Sequence, residues 1–316
     1  MSSRLQRNLL RWFDQYKRDL PWRQDRDPYR VWLSEIMLQQ TRVAAAVAHY
    51  KAFLRRFPTV EKLASARESS VLAAWSGLGY YRRARMLHAV AKEVVRKRGG
   101  KFPETADELR ALPGVGRYTA AAIASIAFDE PAAVVDGNVE RVLQRLLGKE
   151  LTGEMLWQSA QELLSRRRPG DFNQAMMELG ATLCLPRQPK CLLCPVSEMC
   201  STRGELNLAQ KKTRQRKKEI RYALHCRDGS VFLVKRPRTA TLMPGMWELP
   251  EILSANTSEG VFLTLRHSIT VTNYEVQVIR SSVSGRTDGR WVHNSRVSTL
   301  PLTGLAGKIL RAAKVI

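Results

Sequence analysis

The sequence predicts a mainly α-helical region in residues 1–205 and a smaller α+β region in residues 220–316. In the first region, apolar residues recur every three or four positions, as they do on one face of a helix. In the second region they are spaced as in strands, with turn residues between short runs. Residues 206–219 separate the two regions and contain the run KKTRQRKK. We interpret this run as an exposed basic linker, and a nuclear-localisation signal is the alternative.

Composition favours a protein that binds nucleic acid. The chain has 316 residues and 44% hydrophobic content, enough for a full core and for two or three domains. Its 52 Lys and Arg against 29 Asp and Glu give a formal net charge of +23. Such an excess predicts a polyanionic partner, with nucleic acid ahead of an anionic membrane. A basic surface that binds no polyanion is the alternative.

The N-terminus gives no sign of membrane insertion or export. No apolar run reaches the length of a membrane span, and the first residues lack the apolar core of a signal peptide. Asp14 and Asp19 argue against a transit peptide. We therefore expect a cytoplasmic, nucleoid-associated monomer that has no membrane partner.

Two helices are predicted at the start of the chain. The first runs from Leu5 to Tyr16, with an apolar stripe that faces the core. Asp27 and Pro28 are typical of the N-cap and first residue of the second, which is predicted from Tyr29 to about Leu54. Glu35 lies in this helix among apolar neighbours, which raise the pKa of a carboxyl and make it a candidate acid. A Glu on the solvated face is the alternative.

Residues 75–83, with the sequence WSGLGYYRR, form a predicted loop with two aromatic rings beside two guanidinium groups. Such a loop can push a ring between stacked bases while its arginines hold phosphates. A turn between two helices, with both tyrosines in the core, is the alternative.

Two short helices joined by a tight hairpin are predicted around the run LPGVG. A capping box at Thr105 begins the first helix, and the alanine-rich run from Tyr118 to Phe128 forms the second. Pro113 disfavours helix at the residue before it, while Gly114 and Gly116 permit unusual backbone angles. The bare amides of such a hairpin suit a phosphate oxygen or a cation, and an ordinary turn is the alternative.

An acid follows the next apolar run. Val134-Val135 leads to Asp136-Gly137-Asn138 and then to a helical pattern that begins at Val139. The commoner role of an Asp at a helix start is a plain N-cap. A functional carboxylate is the other interpretation.

Four of the five cysteines are grouped. Cys184, Cys191, Cys194 and Cys200 are separated by six, two and five residues. Four thiolates in a compact series of loops favour zinc or an iron–sulfur cluster. Disulfides are the alternative, and the expected reducing compartment disfavours them. Cys226 lies outside the group, and we expect it to be a buried strand residue.

The C-terminal region is predicted to hold four strands and a final helix. A hairpin turns at Asp228-Gly229. The predicted strands are Ile220–Cys226, Val231–Lys235, Val261–Leu265 and Tyr274–Ile279, and the helix runs from about Gly304 to Ala313.

Four stretches resemble a known family or the superfamily that contains it. The segments LPGVGRYTA and VVDGN resemble the helix-hairpin-helix DNA glycosylase superfamily. LPWR followed by DPYRVWLSEIMLQQTRV resembles MutY-type adenine DNA glycosylases, and RPRTATLMPGMWELPE more loosely resembles their Nudix-like C-terminal domain. The resemblance implies a six-helix module in residues 26–130, a cluster module in residues 1–25 and 131–205, and a Nudix-like lesion-recognition domain in residues 220–316.

The resemblance also implies an activity, the removal of adenine opposite 8-oxoguanine or guanine in duplex DNA. Glu35 would protonate the adenine and Asp136 would stabilise the sugar, with Tyr118 and Asn138 assisting. Enzymes of the endonuclease III type carry a lysine where this chain has Tyr118. The implied chemistry is therefore hydrolysis without strand cleavage.

Contacts to DNA and a cofactor are implied in the same way. Gln40 and Thr41 match residues that enter the duplex, and Tyr80 matches the wedge. The four cysteines match the ligands of a [4Fe-4S] cluster, and a monovalent cation is expected at the Gly114–Gly116 hairpin. Where the family commonly has Phe-Ser-His in the loop that contacts 8-oxoguanine, this chain has Ile269-Thr270-Val271, of which Thr270 keeps a hydroxyl.

Two other functions fit part of the sequence. One is a thymine or pyrimidine mismatch glycosylase of the same superfamily, against which the Glu35 segment and the C-terminal region argue. The other is a catalytically silent sensor of DNA damage. A sensor would be marked by the loss of Glu35 or Asp136, and both are present.

Overall fold

The structure is a computed structural model that describes residues 2–206, 216–252, 260–269, 272–280 and 289–316. Its contacts divide the chain into two compact units. The helical unit consists of Met1–Lys51, Thr59–Glu61 and Ala89–Gln210, and the mixed unit of Ala52–Pro58, Lys62–His88 and Lys211–Ile316. The finer modular division drawn from the resemblance stays a prediction.

Helices dominate the first 205 residues, as the sequence predicts. In chain order the helices are α1 (Ser2–Tyr16), α2 (Pro28–Leu38), α3 (Val43–Arg56), α4 (Val60–Ala64), α5 (Glu68–Ala74), α6 (Tyr81–Arg98), α7 (Ala106–Arg110), α8 (Arg117–Phe128), α9 (Gly137–Leu147), α10 (Gly153–Leu163), α11 (Pro169–Thr182), α12 (Asn294–Val297) and α13 (Gly304–Ala312). Short 3-10 helices lie at Pro21–Arg23, Cys191–Leu193 and Ser197–Met199. None of the helices in the described ranges combines the length and the apolar composition that a membrane span requires.

Side-chain caps begin several of these helices where the sequence predicts them. Asp27 accepts a hydrogen bond from Arg30 N–H at 3.0 Å, and Thr105 accepts one from Glu108 N–H at 3.3 Å. Each bond satisfies an N–H group that has no partner inside its own helix. The predicted start of α2 and the predicted cap at Thr105 are therefore confirmed.

The single long helix predicted from Tyr29 to about Leu54 is wrong. The structure ends α2 at Leu38 and begins α3 at Val43. Between them Gln39 leaves helical angles, with ψ at 113°, and Gln40 has φ at +56°, in the left-handed region. The turn contains neither Gly nor Pro, so its sequence gave no local signal of a break. The break presents the 39–41 turn at the end of α2.

The core of the helical unit forms where α1, α9, α10 and α11 pack together. Its buried residues recur at helical spacing on each helix, as on α9, where Val139, Val142, Leu143 and Leu146 are buried. Leu5, Leu9 and Phe13 of α1 belong to the same core. The predicted core-facing stripe of the first helix is confirmed.

The mixed unit contains two small sheets. The strands are β1 (Arg216–Leu224), β2 (Cys226–Arg227), β3 (Ser230–Lys235), β4 (Trp247–Glu248), β5 (Val261–Ile269), β6 (Thr272–Arg280) and β7 (Gly289–His293). In one sheet β6 lies between β1, to which it is parallel, and β5, to which it is antiparallel. In the other sheet β3 pairs with β2, β4 and β7. Apolar residues of both sheets pack with Leu305, Ile309 and Leu310 of α13.

The predicted hairpin at Asp228-Gly229 is confirmed, but its first strand is β2 and not the predicted strand Ile220–Cys226. The residues of that predicted strand up to Leu224 belong to β1, which pairs with β6 in the other sheet. Both turn residues have φ in the left-handed region, at +47° and +66°, as a tight hairpin turn requires. Cys226, expected to be buried, is exposed because β2 is the edge strand of its sheet. The end of the predicted linker also differs, since Arg216–Glu219 already belong to β1. Residues 207–215 of that linker lie outside the described residues.

Candidate active site

A cavity of about 540 Å³ in the helical unit brings together six of the predicted site residues. They come from α2, from the turn after it, from α8 and from the start of α9. The six are Glu35, Gln40, Thr41, Tyr118, Asp136 and Asn138. Three separate stretches of sequence, residues 35–41, Tyr118 and residues 136–138, therefore meet at one place.

Glu35 lies on α2 with only 6% of its surface exposed. Burial raises the pKa of its carboxyl to about 7, and the nearby charge of Asp136 acts in the same direction. The hydrogen bond from Tyr118 and the charge of Arg23 oppose that rise. A large fraction of Glu35 is therefore protonated near neutral pH, and the alternative of a solvated surface Glu is excluded.

Tyr118 lies in the first turn of α8 and points its hydroxyl at Glu35. The hydroxyl donates a hydrogen bond to Glu35 Oε2 at 2.6 Å and lies 3.3 Å from Met177 Sδ. Burial raises the pKa of Tyr118 well above its ordinary value, and the charge of Glu35 adds to this. The phenol is therefore neutral and remains a donor to the carboxyl.

Asp136 is both the N-cap of α9 and a wall of the cavity. One carboxylate oxygen, Oδ1, accepts hydrogen bonds from the N–H groups of Asn138 at 2.9 Å and Val139 at 2.8 Å. The other, Oδ2, accepts one from the Asn138 side-chain amide at 3.0 Å. The N-cap interpretation of Asp136 is therefore confirmed, and the same hydrogen bonds fix a carboxylate that faces the cavity. The functional role of this carboxylate stays a prediction.

An ion-pair network on the cavity wall is absent from the sequence predictions. Glu178 of α11 is 1% exposed and binds Arg18 Nε at 2.6 Å and Arg23 Nη2 at 2.8 Å. Burial acts to raise the pKa of Glu178, but the two arginines outweigh it and hold the pKa below its ordinary value. The partners are about 155 residues apart in sequence, so no local pattern connects them.

A second missed residue is Arg141 on α9. Its guanidinium donates to Asn138 Oδ1 at 2.8 Å, to Gly180 O at 2.8 Å and to Cys184 O at 2.9 Å. It therefore ties the start of α9 to the end of α11 and to the first of the grouped cysteines. The signal in the sequence was its position one helical turn after Gly137.

The hairpin before α8 forms as predicted but does not line the cavity. Gly114 has φ at +72°, which explains the glycine, and Val115 N–H closes the hairpin on Leu112 O at 3.1 Å. Gly116 is the N-cap of α8 and has no side chain to cap it. A Cβ at Gly116 would meet no atom within 4 Å, so the start of α8 is open.

Tyr80 belongs to the mixed unit and is 46% exposed. Its φ is +47°, and the guanidinium of Arg83 lies 5.3 Å from the centre of its ring. Trp75 Nε1 donates a hydrogen bond to Gly79 O at 3.1 Å, and this bond holds the loop that precedes Tyr80. The tyrosine is therefore displayed at the surface, while its neighbour Tyr81 is the one in the core. Thr270 lies outside the described residues.

The four grouped cysteines line one small cavity of about 30 Å³. All are free thiols, so the disulfide alternative is wrong for the structure. The buried guanidinium of Arg145 lies beside them and donates to Cys184 Sγ at 3.4 Å and to Leu185 O at 2.6 Å. Among the residues that the structure describes, no three His, Cys, Asp or Glu side chains are arranged to hold a single metal ion.

The comparisons with known proteins give a family and several similar proteins. Residues 33–165 match the model of the HhH-GPD superfamily of base excision DNA repair proteins. An adenine DNA glycosylase of Rattus norvegicus is 53% identical over 209 residues, which are 61% of this chain and 40% of that protein. An adenine DNA glycosylase of Arabidopsis thaliana is 39% identical over 321 residues, covering 85% of this chain and 50% of that protein.

A solved structure extends the similarity to three dimensions. A thermostable thymine-DNA glycosylase superposes with a TM-score of 0.60 and 32% identity, over 63% of this chain and 95% of that one. The chain spans only 40 to 50% of the length of the two curated relatives, whereas it covers nearly the whole of the thymine-DNA glycosylase. On the family match and the shared fold, the chain belongs to the HhH-GPD superfamily of base excision DNA repair proteins.

Proposed function

We propose that the chain is an adenine DNA glycosylase, which removes adenine opposite 8-oxoguanine or guanine in duplex DNA and leaves an abasic site. The observation that carries the proposal is the pair of carboxyls on one cavity, a Glu35 with its pKa raised to about 7 and a fixed Asp136. The names of relatives that are 39 to 53% identical support the choice of adenine.

The two carboxyls supply the chemistry of N-glycoside hydrolysis. Glu35 gives its proton to N7 of the flipped-out adenine, and the bonding electrons of the glycosidic bond leave with the base. Asp136 stabilises the positive charge that develops on the sugar. Water then adds to the anomeric carbon, and the proton that it loses restores the acid form of Glu35. Tyr118 orients the Glu35 carboxyl, and Asn138 orients that of Asp136.

The same site supports hydrolysis without strand cleavage. Cleavage by a glycosylase-lyase needs an amine that forms a Schiff base with the sugar. The side chain at the position implied by the resemblance is the phenol of Tyr118, which is engaged with Glu35. We therefore expect an intact, abasic strand as the product.

DNA contacts are proposed at places that the structure leaves accessible. Gln40 and Thr41 stand on the cavity wall in the turn between α2 and α3, from which they would enter the duplex beside the flipped base. The exposed ring of Tyr80 suits a wedge between stacked bases. The open hairpin at Gly114 and Gly116 suits a backbone phosphate and the expected monovalent cation.

A [4Fe-4S] cluster is proposed at Cys184, Cys191, Cys194 and Cys200. The donor set fits, because four free thiols line one cavity and the guanidinium of Arg145 offsets thiolate charge. All four thiolates would hold the cluster, and their sulfurs need not converge on a single ion. The cluster would cross-link the loop that holds Arg187 and Lys190 and prop it toward DNA, and no step of the hydrolysis passes through it.

Metal analysis of the purified protein tests the cluster. We expect about four irons per chain and brown colour from visible absorption. Cys194→Ala should lose both the colour and the iron. Stoichiometric zinc without iron would instead assign a structural zinc site to these cysteines.

The activity is tested by single-turnover cleavage of duplexes that carry adenine opposite 8-oxoguanine or opposite guanine. Strand scission that appears only after hot alkali means a bare abasic site, as proposed. Glu35→Gln should bind the mismatched duplex yet release no adenine, and normal turnover by this variant would remove Glu35 from the acid role. A large preference for 8-oxoguanine would mean that the segment Ile269-Thr270-Val271 or a neighbour replaces the usual histidine.

A thymine mismatch glycosylase is the second candidate, favoured by the 32% identity to the thymine-DNA glycosylase. A duplex with thymine opposite guanine, assayed beside the two adenine duplexes, decides between them. Release of thymine but not adenine would replace the proposed substrate. Binding without release from any of the three duplexes would favour the silent sensor.

A further inference from the structure

One face of α11 touches both α8, which carries Tyr118, and the start of α9, which carries Asp136. Its residues are Gly170, Asn173, Met177 and Gly180, spaced three, four and three apart and therefore aligned on the helix. A Cβ at Gly170 would lie 2.4 Å from Ser125 O on α8, and one at Gly180 would lie 2.6 Å from Asn138 Cβ on α9. Both glycines thus permit close approach of α11 to its neighbours. Met177 Sδ reaches the Tyr118 hydroxyl.

Asn173 lies in the middle of this face and is 3% exposed. Its side-chain amide makes three hydrogen bonds. Nδ2 donates to Ser125 Oγ at 2.9 Å and to Ala132 O at 2.8 Å, and Oδ1 accepts from Val134 N–H at 3.2 Å. One side chain therefore connects α8, which holds Tyr118, to the extended segment that leads into Asp136.

That extended segment, residues 131–134, is not part of a described strand, yet Ala133 and Val134 are buried. Its backbone groups therefore need partners from elsewhere. Asn173 supplies two of them. Gln161 of α10 supplies two more, since Ala133 N–H donates to its Oε1 at 2.9 Å and its Nε2 donates to Pro131 O at 2.6 Å. An amide side chain suits this place because it both donates and accepts hydrogen bonds.

We infer that Asn173 is a positioning residue of the active site, whose amide fixes the segment before Asp136 and so sets the place of Asp136 relative to Glu35 and Tyr118. Gln161 is the second, outer support of the same segment. The inference rests on the proposed hydrolysis, because it predicts an effect on that reaction.

Asn173→Ala tests the inference. Release of the segment displaces Asp136, so the single-turnover rate of adenine release should fall about 100-fold, as expected when a reacting group is misplaced by about 1 Å. The Kd for the mismatched duplex should stay that of the wild type, because Asn173 is buried. Val94→Ala, which opens a cavity at a fully buried position of α6, is the control for lost stability and should keep the wild-type rate.

A pH profile separates positioning from general loss of stability. The groups that act on the Glu35 carboxyl are Tyr118 from α8, Asp136 from the start of α9 and Arg23 from the 3-10 helix before α2, while Arg18 and Glu178 line the same cavity. Asp136 acts to raise the pKa of Glu35. With Asp136 displaced, the alkaline limb of the rate profile should move to lower pH in Asn173→Ala and stay in place in Val94→Ala.

If Asn173→Ala does not fold, Gln161→Leu takes its place as the test variant. Gln161 is exposed, so its replacement leaves the core intact. Gln161→Leu should lower the rate of adenine release about tenfold and move the alkaline limb of the rate profile to lower pH. A variant that folds, releases adenine at the wild-type rate and keeps the wild-type profile overturns the inference alone. Failure of the wild type to release adenine overturns the proposed function instead.

Discussion

The two largest effects on the acidity of Glu35 oppose each other. Burial raises the pKa of this carboxyl, and the Tyr118 hydroxyl, which donates to it at 2.6 Å, lowers the pKa. Burial prevails, and the pKa is about 7. Because the proposed acid is the protonated form, adenine release should be constant at pH values well below 7. Above that value the rate should fall about tenfold for each pH unit.

Tyr118→Phe removes the hydroxyl and leaves the ring in place. Since the lost hydrogen bond favoured the charged carboxylate, the pKa of Glu35 should rise and the alkaline limb should move to higher pH. The maximal rate should fall about tenfold through poorer orientation of the carboxyl. Single-turnover rates between pH 5.5 and 9 measure both changes. A limb that moves to lower pH would show that Tyr118 does not donate to Glu35 during the reaction.

At the scale of the element, the glycines of α11 set how closely this helix packs against its neighbours. A methyl group at Gly180 would lie 2.6 Å from Asn138 Cβ and 3.0 Å from Asn138 O, so that α9 or α11 must move. Overpacking of this kind costs about 1–3 kcal/mol, which exceeds the gain of up to about 1 kcal/mol from replacing a helical glycine with alanine.

Gly180→Ala should therefore lower the Tm and the rate of adenine release together, since the shifted Asn138 holds Asp136. Gly307→Ala is a matched control on α13, because a Cβ there meets Arg311 only at an ordinary 3.5 Å. It should raise the stability slightly through helix propensity. An unchanged rate in Gly180→Ala would mean that the α9–α11 contact does not place the carboxylate.

At the scale of the whole molecule, charge should govern affinity for DNA. With a formal net charge of +23, the chain is expected to neutralise several phosphates and to release their counterions. The Kd of Glu35→Gln for a mismatched duplex should rise on the order of 1,000-fold between 50 and 200 mM salt, which corresponds to about six phosphate contacts. The variant keeps the duplex intact during the titration. A change of less than about tenfold would contradict broad phosphate binding.

Much of the molecule follows from local sequence. Asp27, Thr105 and Asp136 cap the helices that they were expected to begin, and Asp228-Gly229 makes the expected turn. These features depend on neighbours in the chain, and for that reason sequence alone predicts them. The resemblance to a known family supplied the roles of Glu35 and Asp136, which periodicity by itself left open.

Tertiary structure decided what depends on residues that are distant in sequence. The break after Leu38 has no Gly or Pro to mark it, and the exposure of Cys226 depends on which strand ends the sheet. Glu178 is held by Arg18 and Arg23, and Asn173 supports residues about 40 positions earlier. Buried charges and buried backbone groups must find partners wherever the fold provides them, and only the folded chain determines which partners are near.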